Sequence, residues 1–296
     1  MPSELGPTAF VQPRRHRDVP LQARQAALAG LAAVSLTTLA ACANYSTPTT
    51  AAPQAPSSGA AALPTLISPG KLLVCTHLSY KPFEFKDDSG KVVGFDVDLM
   101  DLVAKKLGVT QEVVDIDFAQ ITSGAVFAAK KCDAGYGATT ITDARKRAIG
   151  FSDPYFKATQ ALLVKSDSTV ADLAGLNGKV LGVQTDTTGQ IYANDNKAAN
   201  GYEVKVFDDM PSQLAAVQAG TIDAAVNDNG VVFDYAKDNP TTKVVKEFDT
   251  GEEYGLMTGK DNTAMVTVMN EVLTAAKADG SYNTIYKKGF GSEPPA

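Results

Sequence analysis

Among the side chains of this 296-residue sequence, Arg145 is the best placed to do chemistry. It follows Thr142-Asp143 at the start of a helical segment. Free backbone N–H groups and the helix dipole favour an anion at such a point, and a guanidinium can hold a carboxylate through two parallel hydrogen bonds. With Lys146 and Arg147 beside it, the same residue also suits a solvated basic face. Asp228 is a second candidate, in Asn227-Asp228-Asn229-Gly230, a composition common in turns and caps. Catalysis has little to draw on. A general acid or base must be placed against its substrate. With 2 His and 3 scattered Cys, no CxxC pair and no multi-His cluster, no metal or cofactor site is expected.

The elements that position these residues are legible from composition and periodicity. Lys and Arg total 27 against 33 Asp and Glu, a net charge of −6. An acidic chain without a long basic run is a poor ligand for nucleic acid, which requires phosphate neutralisation. Residues 1–24 are polar with an Arg cluster, and Gln25 to Ala41 is apolar and uncharged. That is the pattern of a secretion signal, and the run is short for a membrane span, which needs about 20 apolar residues. Leu39-Ala40-Ala41-Cys42 resembles the lipobox of bacterial lipoproteins, which implies cleavage before Cys42 and lipidation of its thiol. Residues 42–69 are rich in Ala, Pro, Ser and Thr with no charge, the composition of a disordered tether. The folded part is expected from about Lys71.

From there strands and helices alternate, which argues for parallel βαβ units. Lys71–Thr76 is a short apolar strand. Val97, Met100, Val103, Ala104 and Leu107 recur at helical spacing, and Gly108 stops the helix. A strand over Val113–Ile116, a helix over about 124–131 and a strand over Cys132–Gly137 follow. The second half repeats the design with a strand over Lys179–Val183, a helix over Gln213–Gln218 and a strand over Ile222–Val226. Asp133-Ala134 and Asp223-Ala224 each open a strand after a helix, a weak internal repeat. In open α/β sheets ligands bind beyond the carboxyl ends of strands. If Cys75 and Cys132 lie on parallel neighbouring strands, their stagger spans about 10–13 Å at 3.3 Å per residue. A disulfide needs Cα atoms within about 7 Å, so two free thiols are expected.

Gly94-Phe95-Asp96-Val97-Asp98-Leu99, Tyr80-Lys81-Pro82-Phe83-Glu84-Phe85, Thr140-Ile141-Thr142-Asp143-Ala144-Arg145, Phe151-Ser152-Asp153-Pro154-Tyr155 and Ser281–Phe290 stand in the order and near the spacing of one family. Over about Lys71–Gly291 the chain resembles the extracellular solute-binding proteins that serve polar amino-acid ABC importers. The resemblance implies a two-lobed α/β periplasmic-binding-protein-like fold. Each lobe would be a mostly parallel sheet flanked by helices, and a two-strand hinge would cross near Tyr155–Thr159 and Gly251–Gly255. Lobe one would hold 71–156 and 254–290, and lobe two 157–253. Implied partners are a free amino acid, an ABC permease and, through acylated Cys42, a lipid membrane, with the protein extracytoplasmic and monomeric. A sensing module for a membrane receptor and a periplasmic dehydratase are the alternatives.

By the same resemblance Arg145 clamps the ligand carboxylate, with Thr187 and Thr188 joining from lobe two. Asp228 takes the ammonium, Ala138 and Thr140 add hydrogen bonds, and Tyr80 and Phe118 sandwich the ligand. Gln184 and Asn227 are further selectivity candidates. His77 stands where many relatives carry Asp, and Asp186 where relatives often have Gly. A carboxylate at Asp186 favours a cationic ligand side chain and the loss of the acid at His77 opposes it. Glutamine or glutamate is the first expectation, and a basic amino acid the second.

Overall fold

The computed structural model describes residues 62–295. The signal segment, Cys42 and most of the expected tether lie outside the described residues. The last part of that tether is fixed: Pro64 is buried, and Ile67 N donates to Asp133 Oδ1 at 2.8 Å.

The chain opens with β1 (Lys71–Thr76), the short pair β2 (Phe85–Lys86) and β3 (Val92–Val93), helix α1 (Phe95–Leu107) and β4 (Thr110–Asp115). Two short helices, α2 (Phe118–Thr122) and α3 (Ala125–Ala128), lead to β5 (Ala134–Gly135), α4 (Asp143–Lys146) and β6 (Ile149–Phe151). A long strand β7 (Phe156–Lys165) then carries the chain into a second unit. There β8 (Val180–Gln184), α5 (Thr188–Asn200), β9 (Glu203–Phe207), α6 (Met210–Ala219), β10 (Ala224–Asp228) and α7 (Asn229–Asp238) follow. The long β11 (Thr242–Tyr254) returns to β12 (Met257–Gly259), and α8 (Thr263–Asp279) and α9 (Ser281–Phe290) close the chain.

These strands make two five-stranded sheets, ordered β4-β1-β5-β12-β6 and β11-β7-β10-β8-β9. In each, four strands run one way and one runs against them: β12 in the first and β7 in the second. β7 and β11 pair from Thr242↔Lys165 to Tyr254↔Phe156, and that ribbon joins the two sheets. At its end Ile141 N donates to Glu253 O and Gly255 N to Thr139 O, which ties the ribbon to the first sheet's loops.

Helix α1 shows how the first unit is built. Val97, Met100, Val103 and Ala104 are buried while Lys105 and Lys106 are exposed. Gly94 precedes the helix at φ 139°, and a Cβ there would lie 2.1 Å from the Phe83 carbonyl oxygen, so only glycine admits this approach. Phe83 sits edge-on to Phe95, Phe156, Tyr254 and Phe290 at centroid distances of 5.1–6.1 Å. That cluster packs the loop after β1, α1, both crossing strands and the last helix together.

Three expectations change. The helix over 124–131 shortens to α3, Ala125–Ala128, with a separate short helix α2 before it and Gly124 in the left-handed region between them. The strand over 132–137 contracts to Ala134–Gly135. Third, Cys75 and Cys132 are joined in a disulfide with Cα atoms 5.7 Å apart. Cys132 lies before β5 rather than on it. Lys130 is left-handed at φ 52°, and the chain turns back under β1 before β5 begins, so the rise of an extended strand does not apply.

The Asp-Ala repeat has a structural counterpart. Asp133 Oδ2 accepts from Leu73 N at 3.0 Å, and Asp223 Oδ2 accepts from Val180 N at 2.9 Å. In each sheet an aspartate at the mouth of one strand pins the start of its parallel neighbour.

Candidate functional site

The first sheet's loops and the second's line one pocket between them. It is lined by Tyr80, Phe118, Ala138, Thr140, Arg145, Thr187, Thr188, Asp228, His77 and Gln184, all singled out from the sequence, and by Glu84 and Gly137. Strand ends and helix starts bring them there. Tyr80 and His77 follow β1, Ala138 follows β5, Phe118 opens α2 and Asp228 ends β10.

Arg145 is 9% exposed and its guanidinium lies 5.2 Å from the centre of the Phe118 ring. One terminal nitrogen donates to Thr140 O and the other to Asp186 O, both at 2.9 Å. Burial lowers its affinity for protons, and the carboxylates of Asp228 and Glu252 oppose that. Thr142 caps α4 by accepting from Arg145 N at 3.2 Å, which sets where the guanidinium starts from. Opposite, Thr187 caps the 13-residue α5, accepting from Gln190 N at 3.0 Å and donating to Gln184 O at 2.8 Å. The start of α5 therefore faces the same cavity as Arg145, and its unpaired N–H groups and dipole favour an anion there.

Asp228 is 5% exposed. Its Oδ1 accepts from Gln160 Nε2 at 2.5 Å, and its Oδ2 accepts from the Tyr254 hydroxyl. Burial, then the nearby Glu252 carboxylate, pushes its pKa up to about 7 against the hydrogen bonds it receives. Asp228 is thus an acid held near neutrality, ready to ionise when a cation arrives. Ala138, left-handed at φ 44°, donates its N–H to Asp96 Oδ2 at 2.9 Å. The Tyr155 hydroxyl donates to the same oxygen at 2.7 Å. Burial raises Asp96 to about 6 even so.

Several contacts cross the cleft. The Tyr80 hydroxyl donates to Asn227 Oδ1 at 2.6 Å, and Lys81 Nζ reaches Asp234 and Asp238 at 3.2 and 2.7 Å. Arg145 bonds to the Asp186 carbonyl, and the hydroxyls of Thr140 and Thr188 are 3.4 Å apart. Gly230 lies against Phe83, where a Cβ would come within 3.0 Å of the ring.

Asn227 and Asp186 do not line the cavity. Asn227 stands behind it and holds Tyr80, its Nδ2 donating to Gln213 and Gln184. Asp186 is left-handed at φ 58° with its side chain exposed, and it offers Arg145 a backbone carbonyl. Its carboxylate does not set the cavity's charge.

The sequence reading also passed over Glu84 and Gly137, and Glu252 and Gln160 behind the wall. Glu252, 7% exposed, accepts from Thr140 and Thr188 hydroxyls at 2.6 and 2.7 Å through Oε2. Its Oε1 accepts from Gln160 and Thr250 at 3.0 and 2.7 Å. A signal for Glu84 exists: an acid set between Phe83 and Phe85 is flanked by residues that bury.

Residues 72–292 match the family of bacterial extracellular solute-binding proteins, family 3. A probable histidine-binding protein of Neisseria gonorrhoeae is 33% identical over 238 residues, covering 76% of this chain and 85% of that one. Among solved structures, an ancestral arginine-binding protein bound to arginine aligns with a TM-score of 0.71 at 39% identity, covering 75% of this chain and 98% of that chain. An ancestral arginine-binding protein bound to glutamine aligns with a TM-score of 0.71 at 40% identity, covering 75% and 99%.

Proposed function

Because the chain belongs to the bacterial extracellular solute-binding proteins, family 3, we propose that it captures a polar L-amino acid outside the cytoplasmic membrane by closing its two lobes and delivers it to an ABC importer. The observation that carries this reading is one cavity with a guanidinium on one wall and a helix start and a buried carboxylate on the other. An α-amino acid offers a carboxylate and an ammonium to match. In this reading Arg145, Thr187 and Thr188 hold the carboxylate, and Asp228, Thr140 and Ala138 receive the ammonium. Tyr80 and Phe118 flank the ligand, and His77 and Gln184 meet its side chain. Lobe one comprises 71–156 and 254–290, and lobe two 157–253. The family and its relatives are binding proteins, and the cavity is read as performing no bond chemistry. Both walls come from one chain, which supports action as a monomer.

The α-ammonium role has a pH signature. Asp228 is raised to about 7, and an ammonium favours its ionised form. Affinity should therefore rise as pH increases through about 7 and fall below it, with a proton released on binding. Titration calorimetry at pH 6 and 8 should show the rise, and Asp228→Asn should remove it while weakening binding at pH 8 by at least about tenfold. Wild-type affinity that is flat across that range would refute the assignment.

We further propose that the protein is a lipoprotein, cleaved before Cys42 and anchored by it to the outer face of a membrane. Support comes from the apolar segment ending at Cys42 and the uncharged stretch after it. Cys42→Ala should move the protein from the membrane to the soluble fraction or block its processing. A correctly cleaved Cys42→Ala protein that stays with membranes rules lipidation out.

A further inference from the structure

Glu252 lies on the crossing strand β11, behind the cavity, yet its side chain holds both of the cavity's walls. Four hydrogen bonds arrive at its two carboxylate oxygens. Oε2 accepts from the hydroxyl of Thr140, in the loop after β5, and from that of Thr188, at the start of α5. Oε1 accepts from Gln160 Nε2 and from the Thr250 hydroxyl. Gln160, fully buried on β7, also gives Nε2 to Asp228 Oδ1. An amide nitrogen has two hydrogens, and here each goes to a carboxylate. Gln160 Oε1 is left buried without a partner, packed against Gly189, where a Cβ would lie 2.6 Å away. That orientation costs free energy, and what it secures is a donor for each carboxylate. The same Nε2 lies 3.5 Å from Thr188 Oγ1, so Asp228 and the two hydroxyls are neighbours.

A threonine hydroxyl has one proton and two lone pairs, and a carboxylate only accepts. Thr140 and Thr188 therefore each turn their one proton to Glu252 and have no other to give. Their oxygens, 3.4 Å apart, offer the cavity lone pairs alone. We infer that Glu252 is a positioning residue: by taking both threonine protons it fixes the hydroxyls of Thr140 and Thr188 as acceptors, and so selects a solute with a protonated amine over one with a hydroxyl in its place. The inference rests on the reading of Asp228 as the ammonium acceptor given above. An ammonium has three N–H donors, and Asp228 with these two oxygens supplies three acceptors. Thr188 then meets the carboxylate of the amino acid through its backbone N–H, which is free at the first turn of α5.

The arrangement depends on the cleft being shut. Thr140 stands among the loops of the first sheet and Thr188 opens a helix of the second unit. Drawing the walls apart must break one of the two bonds at Oε2, and the released hydroxyl can then turn its proton elsewhere. Selection for the amine is complete only when both walls meet at Glu252. An occupant that brings too few donors leaves desolvated oxygens unmatched there.

The standard L-amino acids are first screened by thermal shift, since a bound solute stabilises the folded state. The tightest binder is then titrated by calorimetry beside its 2-hydroxy acid, which keeps the side chain and carboxylate but has no amine. Wild type should prefer the amino acid by at least about a hundredfold. Glu252→Gln keeps the shape but sets an N–H group among donors, and should shrink that preference at least about tenfold. A purely structural role would weaken both solutes alike and leave the ratio unchanged. Because Glu252 acts through the hydroxyls, Thr140→Val/Thr188→Val should shrink the ratio too, and adding Glu252→Gln should cost little more. Wild type that binds the two solutes equally, a folded Glu252→Gln protein that keeps the wild-type ratio, or losses that simply add in the combined variant would each overturn the inference. Neutron diffraction of deuterated wild type with the amino acid bound gives a test that needs no variant. Both hydroxyl deuterons should point to Glu252, and one pointing to the amino acid instead would overturn the inference. Each of these failures leaves the amino-acid reading intact, whereas a screen in which no amino acid binds overturns both.

Discussion

Replacing Arg145 by alanine should abolish amino-acid binding while the fold survives. A guanidinium has five N–H donors; here two nitrogens each bond a carbonyl, Thr140 O and Asp186 O, and the group lines the cavity above Phe118. A ligand carboxylate would meet it in an enclosed site, away from solvent. Removing one partner of such a charge-assisted pair costs about 2–5 kcal/mol, roughly 30- to several-thousand-fold in affinity. Arg145→Lys should recover only part, because an ammonium is a point charge without the planar fork. An amine lacking the carboxylate should bind the wild type poorly for the same reason. Calorimetric titration of wild type and both variants is the measurement, with circular dichroism as the folding control. If the folded alanine variant binds as tightly as wild type, Arg145 is no clamp and serves only to tie Thr140 to Asp186.

Opening the Cys75–Cys132 bridge should be comparably costly, but to stability. The bridge closes a loop with a sequence separation of 57, and the loop-closure entropy it removes from the unfolded chain corresponds to about 4 kcal/mol. It also ties β1 to the turn before β5, beside the loop that carries His77 and Tyr80. Urea unfolding with and without reductant should therefore show a lower midpoint for the reduced protein, and Cys75→Ala/Cys132→Ala should match it. Peptide mapping under non-reducing conditions should recover the two cysteines linked. Two free thiols at these positions, or equal midpoints, would mean that the bridge does not form in solution.

What the sequence made legible was whatever depends on short-range pattern. Val97, Met100, Val103 and Ala104 face inward because their spacing follows the helix, and a glycine that cannot carry a Cβ marks where α1 begins. Asp133 and Asp223 were visible as a repeat because the same pinning of a neighbouring strand recurs in both sheets. The cavity-lining residues taken from the family motifs do meet in one place, since those motifs sit at strand ends and helix starts. The rest depends on how the chain turns in space. Cys132 looked like a strand residue, but it lies in the turn between the left-handed Lys130 and β5, bonded to Cys75. Asp186 promised a carboxylate to the cavity and supplies a carbonyl, because its backbone is left-handed. Glu252 is one of two adjacent acids in a strand of mixed polarity. Nothing local tells which of the two is buried.

The contacts that cross the cleft also bear on how fast it can work. The bonds of Tyr80 to Asn227, Lys81 to Asp234 and Asp238, and Arg145 to the Asp186 carbonyl hold the two walls of the cavity together. A solute cannot pass while they hold. Entry must wait for the ribbon of β7 and β11 to flex, and domain motions of that kind take about microseconds to milliseconds. Capture is then gated by opening frequency rather than by diffusion, so solutes of different affinity would enter at similar rates and differ mainly in how long they stay. A membrane partner that prises the lobes apart needs no contact with the solute: by breaking these same few bonds it shortens the residence time directly.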